Sequence, residues 1–232
     1  MPVQSRIAKA CAALVALYLS VHCASATLRL TPITHGNAAR REICLTFDAC
    51  ETTKRAGFDA AIVRTLETTH TPATFLLCGK WMESHPSETR RIASNPLFEI
   101  GSHSYIHPHM TRVSVERMRA ELTRTQDVMF RLTGRRGKLF RPPYGEYDDT
   151  LINVATSLGL QTITWSVVTG DPDKHVNARS IVSTVLHRSK SGSIIIMHVN
   201  GRGWHTAEAL PQVIAGLRAK HYRFVTVSQS LK

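Results

Sequence analysis

The chain has little that would hold a membrane, a nucleic acid or a second domain. Its main apolar run, Ala10 through Leu19, is too short to span a bilayer comfortably as a permanent helix. Aromatic residues make up 6% of the 232 residues, and no recognition motif accompanies them, so the stacking platforms of a nucleic-acid binder are missing. No linker, low-complexity tract or internal repeat interrupts residues 40–232. Acid is scarce as well: 17 Asp and Glu stand against 29 Lys and Arg.

What is present begins with an address. Residues 1–26 carry Arg6 and Lys9, then the apolar run, then Ala24-Ser25-Ala26, the three-part pattern of a secretory signal peptide. Cleavage after Ala26 leaves 206 residues, enough for one sizeable core and too few for two ordinary domains. Residues 27–40 read as a polar leader and 41–232 as the domain. The released chain keeps 27 basic residues against 17 acidic ones, a net charge of +10. In an exported protein, periplasmic or secreted, this favours cell-envelope polymers or phospholipid headgroups. Plain solubility is the alternative.

Five cysteines become three in the mature chain, Cys44, Cys50 and Cys78. Cys44 lies inside an apolar run and reads as a small buried hydrophobe. Cys50 and Cys78 each follow a strand-like run; if those strands are parallel neighbours, a Cys50–Cys78 disulfide is the expectation in an oxidising compartment.

Hydrophobic periodicity predicts strands at 42–47, 73–78, 98–102, 138–141, 162–167, 193–198 and 223–227. Helices are predicted between them at 57–68, 81–94, 114–132, 150–158, 179–188 and 206–220. Such alternation makes a parallel sheet with helical crossovers, either an open doubly wound sheet or a closed barrel. Asp48, His103, Arg141, Asp171 and His198 all fall at or just beyond the carboxyl ends of predicted strands, where active sites collect in both folds. His103 and His107 form an H-x-x-x-H pair able to put two imidazole nitrogens on one metal ion. A carboxylate, a histidine pair, an arginine, a second carboxylate and a further histidine on one rim supply what metal-assisted hydrolysis needs.

The chain resembles the polysaccharide deacetylases of carbohydrate esterase family 4, the NodB-homology domain. Leu45-Thr46-Phe47-Asp48-Ala49-Cys50 is similar to that family's T-F-D-D-G motif, and His103-Ser104-Tyr105-Ile106-His107 matches H-[ST]-x-x-H. Arg141-Pro142-Pro143-Tyr144-Gly145 matches the third motif. Val168-Thr169-Gly170-Asp171-Pro172 and Ile196-Met197-His198 stand in the places of D-x-x-D-W and L-x-H. The resemblance implies a single-domain, distorted (β/α) barrel of about seven parallel strands, and removal of acetyl groups, N- or O-linked, from a polysaccharide. It further implies Asp48 as general base, His198 as acid, Arg141 as the partner of Asp48 and Asp171 as the partner of His198. The Tyr144 backbone N–H would face the oxyanion, and His103 and His107 would hold a divalent metal: zinc, or cobalt or nickel in its place.

Two departures matter. Ala49 stands where the family has its third metal ligand, so another group must complete the site; Glu51 is the first choice, with Cys50, His109 and Asp48 behind it. Val168 and Pro172 replace the first Asp and the Trp of the fourth motif. Three readings therefore follow: a deacetylase with an altered ligand set, a hydrolase without tightly held metal, and a glycan-binding domain without turnover. The loop Asn200-Gly201-Arg202-Gly203-Trp204-His205 offers Trp204 to stack on a sugar and Arg202 to meet an anionic glycan, or else is a surface loop with its aromatic packed down.

Overall fold

The computed structural model describes residues 31–52 and 54–232, so the predicted signal peptide lies outside the described residues. Strand β1 (Glu42–Ala49) is buried along its whole length, as its apolar run requires of a central strand in a parallel sheet. Helix α1 (Ala60–Thr68) starts later than its periodicity predicts, because the Asp59 carboxylate accepts the Ala61 N–H and caps it there. Strand β2 (Ala73–Leu77) follows. The single helix predicted over 81–94 is two, α2 (Gly79–Ser84) and α3 (Pro86–Ser94). Pro86 sits in the first turn of α3 and keeps His85 out of the helical region, so the chain breaks there.

Strand β3 (Phe98–Ser102) leads to α4 (Val115–Thr133), opened by the Ser114 hydroxyl and closed by Gly134 at φ +69°. Then come β4 (Leu139–Phe140), α5 (Asp149–Ser157), β5 (Gln161–Thr162) and β6 (Val167–Val168). The chain ends with α6 (Ala178–Arg188), β7 (Ser193–His198), α7 (Thr206–Ala219), β8 (Arg223–Phe224) and the short α8 (Val227–Ser230). The predicted last strand, 223–227, is thus shortened by a helix capped at Thr226. Among the described residues no helix is long and apolar enough to cross a membrane.

Seven strands form the path β5-β4-β3-β2-β1-β7-β6, all parallel, and β8 adds beside the start of β1. The two ends of the path, β5 and β6, are pieces of one stretch that was predicted as the single strand 162–167. The sheet curls so that these ends approach through the four residues between them without pairing, which gives a distorted (β/α) barrel. Ile33, in the predicted leader, pairs alongside the stretch that follows β5: its N–H donates to the Thr162 carbonyl and its carbonyl accepts from the Thr164 N–H, both at 2.9 Å. Inside, Phe47 stacks on Phe75 at 5.4 Å and Phe98 meets Phe75 edge-on. Burying each such side chain contributes roughly 1.5–3 kcal/mol.

Candidate active site

The carboxyl rim of the barrel gathers the predicted residues around one pocket of about 330 Å³, lined by Asp48, Cys50, His103, His107, Asp171, His198 and Arg202 among others. Asp48 and His198 are register partners on β1 and β7. Arg141, immediately beyond β4, is wholly buried. It donates one Nη to Asp48 Oδ1 at 2.6 Å and the other to Thr46 Oγ1 and the Thr164 carbonyl. Burial alone would raise the Asp48 carboxyl's pKa, yet the charges of Arg141, His103 and His198 hold it below its ordinary value.

The second pair is built the same way. Asp171 Oδ1 accepts from His198 Nδ1 at 3.0 Å and from the Thr169 hydroxyl at 3.0 Å. Its Oδ2 accepts from the His198 backbone N–H and the Thr206 hydroxyl, both at 2.7 Å. A carboxylate so held cannot turn away from the imidazole. Burial would lower the His198 pKa, but the Asp171 hydrogen bond and charge, with Asp48 behind them, carry it above its ordinary value.

His103 and His107 lie in a loop with two left-handed non-glycine residues, Ser104 at φ +65° and His107 at φ +61°. Such conformations cost about 1–3 kcal/mol each and persist only where the surroundings fix them. Here Glu121 on α4, 2% exposed, accepts the N–H groups of Tyr105 and Ile106 at 2.8 and 2.9 Å, and the Ser104 hydroxyl accepts the His107 N–H at 3.0 Å. His103 Nδ1 donates to the Arg141 carbonyl at 2.8 Å, which leaves Nε2 without a proton, 3.6 Å from Asp48 Oδ2. The two imidazoles meet edge-on at 4.8 Å. Burial pushes both below their ordinary pKa, His107 to about 3, so both are neutral near pH 7.

Neutral imidazoles, that of His103 with its tautomer fixed by the Arg141 carbonyl, fit a divalent cation by donor chemistry. A third protein ligand is not assembled: among the described residues no group of three His, Cys, Asp or Glu side chains is arranged for a metal. Glu51, the residue expected to replace the lost carboxylate, is not brought to the pair. Its Oε1 accepts from the Ser84 hydroxyl at 2.9 Å and its Oε2 from the Ala56 N–H at 3.3 Å, which ties down its own loop. His109 stacks on Tyr144 at 4.2 Å and bonds Glu146. Cys50 lines the pocket, but burial pushes its thiol up and away from thiolate.

The expected Cys50–Cys78 disulfide is not formed. Cys78 does follow β2 beside the end of β1, its N–H donating to the Ala49 carbonyl, but all three thiols are free. The Cys78 thiol donates to the His103 carbonyl at 2.9 Å and Cys50 faces Asn200.

Tyr144 sits at φ +59° in the Pro-Pro-Tyr-Gly turn, with its ring at the pocket edge against His107. Arg202 lines the pocket. Trp204 does not: its N–H donates to the Asp171 carbonyl while the side chain, 60% exposed, projects outward. The aromatic wall is instead Trp165, under Arg141 and against Gly145, where any Cβ would lie 2.6 Å from its ring. Sequence reasoning missed it; the signal was a lone Trp inside a predicted strand.

These features define a (β/α) barrel with a carboxylate–arginine pair and a histidine–carboxylate pair across one rim pocket. Residues 35–163 match the model of the polysaccharide deacetylase family, and the chain belongs to that family. It is 35% identical over 191 residues to a peptidoglycan-N-acetylglucosamine deacetylase of Bacillus cereus, covering 81% of this chain and 67% of that protein. A crystal structure of a peptidoglycan N-acetylglucosamine deacetylase bound to a hydroxamate-type benzamide superposes with TM-score 0.79 at 32% identity, over 85% of this chain and 91% of that one. A family 4 pseudoenzyme from Bacillus anthracis superposes with TM-score 0.78 at 26% identity, over 87% and 69%.

Proposed function

We propose that the exported chain removes acetyl groups from an N-acetylated cell-envelope glycan. The observation that carries this reading is the facing of Asp48 and His198 across one pocket, each with its own charge partner. Asp48, held ionised by Arg141, takes a proton from the attacking water as it adds to the acyl carbonyl. His198, held protonated by Asp171, gives its Nε2 proton to the departing amine as the C–N bond breaks; acetate and the free amino sugar leave. The Tyr144 backbone N–H faces the oxygen on which charge develops. Positioned proton transfer of this kind accounts for roughly 10²–10⁴ in rate. His103 and His107 would hold a divalent ion, zinc by preference with cobalt or nickel as substitutes, whose chemistry there is Lewis-acid polarisation of the carbonyl. A pocket at the small end of ligand clefts suits one acylated sugar at a time.

The second reading, a glycan-binding domain without turnover, is favoured by one observation: Ala49 where the family motif carries a ligand carboxylate. Acetate release from acetylated glycans separates the two, measured with chelator and then with each metal added back. Release lost to chelator and restored by metal supports the metal-assisted reading. Release indifferent to chelator, with no metal in the sample, leaves Asp48 and His198 working unaided. Binding without release on every glycan would overturn the proposal.

A further inference from the structure

Tyr144 is the residue of the Pro-Pro-Tyr-Gly turn whose conformation needs help from outside the turn. Pro142 and Pro143 fix φ on the way in, and Gly145, at φ +71°, takes the left-handed region freely. Tyr144 takes it at φ +59° with a Cβ in the way, and such a residue persists only where its surroundings fix it. The turn closes through the Gly145 N–H on the Pro142 carbonyl and the Glu146 N–H on the Pro143 carbonyl, both at 3.1 Å; among the described residues the Tyr144 N–H has no acceptor. The side chain is what is held. Its ring stacks on the His109 imidazole, with centroids 4.2 Å and planes 14° apart, and meets His107 edge-on at 4.5 Å.

His109 is itself anchored on both sides. Its Nδ1–H donates to Glu146 Oε2 at 2.8 Å, and its carbonyl accepts the Arg112 N–H at 2.9 Å. The next side chain, Met110, is wholly buried in a cluster with Leu122, Phe140 and Leu151. Glu146 follows Gly145 directly, and its Oε1 lies 3.9 Å from the Arg112 guanidinium. The imidazole thus spans from the loop after β3 to the turn after β4, and the carboxylate that holds it belongs to the same turn whose tyrosine it covers. A ring tethered through its nitrogen and its backbone resists sliding off the ring it stacks on.

We propose that His109, held by Glu146, is a positioning residue for the reaction: it clamps Tyr144 in the left-handed conformation and so keeps the Tyr144 N–H where the acyl oxygen gains charge. The inference rests on the deacetylase reading for what that N–H does, and on the stack and its tethers alone for how the turn is held. It also gives His109 a part other than metal ligand, since its ring face is committed to Tyr144 and its Nδ1 to Glu146. A donor needed only as charge develops acts on kcat and leaves substrate binding alone.

The test compares the chain with H109A, H109F and E146A on an N-acetylglucosamine oligosaccharide, with zinc supplied. In H109A kcat should fall about tenfold with KM within about twofold, the factor expected of one aromatic pair. H109F keeps a flat ring and should recover most of the loss; E146A keeps the imidazole but frees it, and should show part of the loss. Hydrogen exchange at the Gly145 and Glu146 amides, which close the turn, follows the clamp without turnover: faster in H109A, near the unaltered rate in H109F. Zinc affinity, by chelator competition, should be the same in H109A as in the unaltered protein. An unchanged kcat in H109A, a loss carried by KM, a loss that H109F does not recover, or an E146A protein that matches the unaltered one overturns the proposal. So does weakened zinc binding in H109A, which would make His109 a ligand. If no protein releases acetate while exchange quickens in H109A and returns in H109F, the deacetylase reading fails and the clamp on the turn stands. Exchange unmoved by H109A overturns the clamp whether or not acetate appears.

Discussion

Glu121 Oε2 accepts the backbone N–H of Tyr105 at 2.8 Å, from a helix sixteen residues further along the chain. With the neighbouring bond to Ile106 and the Arg117 guanidinium on Oε1, this buried carboxylate holds the loop that carries both metal-type histidines. In E121Q one of these acceptors becomes an amide NH₂ facing donors. The expected loss is about 1–3 kcal/mol of unfolding free energy in urea, together with weaker zinc binding in chelator competition. Full zinc affinity in E121Q would show that the histidine loop holds itself.

Asp48 is the group whose loss should separate binding from chemistry. D48N keeps the size of the side chain and removes the base. Acetate release should fall by roughly 10²–10⁴, while the dissociation constant for the same glycan stays within about twofold. Retained turnover would remove Asp48 from the mechanism.

The pH profile of kcat/KM should be bell-shaped. Its acid limb follows Asp48, whose carboxylate is lost only as pH falls through a value depressed by Arg141, His103 and His198 against the cost of burial. Its alkaline limb follows His198, which keeps its proton until pH rises through a value that Asp171 lifts against burial. D171N removes the lifting charge, so the alkaline limb should move to lower pH with the acid limb in place. Stopped pH-jump assays of initial rate read both limbs.

Ala49 stands where the motif of the resembled family carries a carboxylate. It is fully buried at the end of β1, so A49D gains a cation partner only when a metal is present. Zinc affinity, measured against a fluorescent chelator, should tighten at least about tenfold, as expected of a third protein ligand. No change would place the ion away from His103 and His107.

The three thiols should remain countable as thiols. In residues 27–232, alkylation in urea without reductant should label Cys44, Cys50 and Cys78, three groups by intact mass. A Cys50–Cys78 bridge would leave one. In the native state Cys44 and Cys78 should resist labelling, since burial pushes Cys44 to about 12 and Cys78 well above its ordinary value.

Much of this site was legible in the residues because its members end strands, and a strand's end is written by the apolar run that stops there. Asp48, Arg141 and His198 follow such runs, and the barrel's parallel order brings the ends together. What was not legible depended on reach across elements. Glu51 looked free to serve a metal from its place two residues beyond Ala49, yet Ser84 on another element takes its carboxylate. Glu121 read as one acid on an amphipathic helix; only packing α4 against the histidine loop gives it two backbone donors. Trp165 stood inside a predicted strand, and its part in the pocket wall appears only when that strand splits. The break itself, like the one at Pro86, is a local backbone preference that periodicity averages over.

Ile33 has a consequence for how the protein withstands proteolysis. The barrel wall has a join where β5 gives way to β6, and a residue from before the first strand is sewn into it, with Gly36 tied to Gly192 a few residues on. Trimming at Ala26 would leave that stitch whole. Trimming at residue 41, where periodicity draws the domain's edge, would remove it and leave the 162–164 stretch without its backbone partner. A protease clipping in the thirties would therefore act as a seam ripper, loosening the rim on which Arg141 and Asp171 meet their partners without touching either.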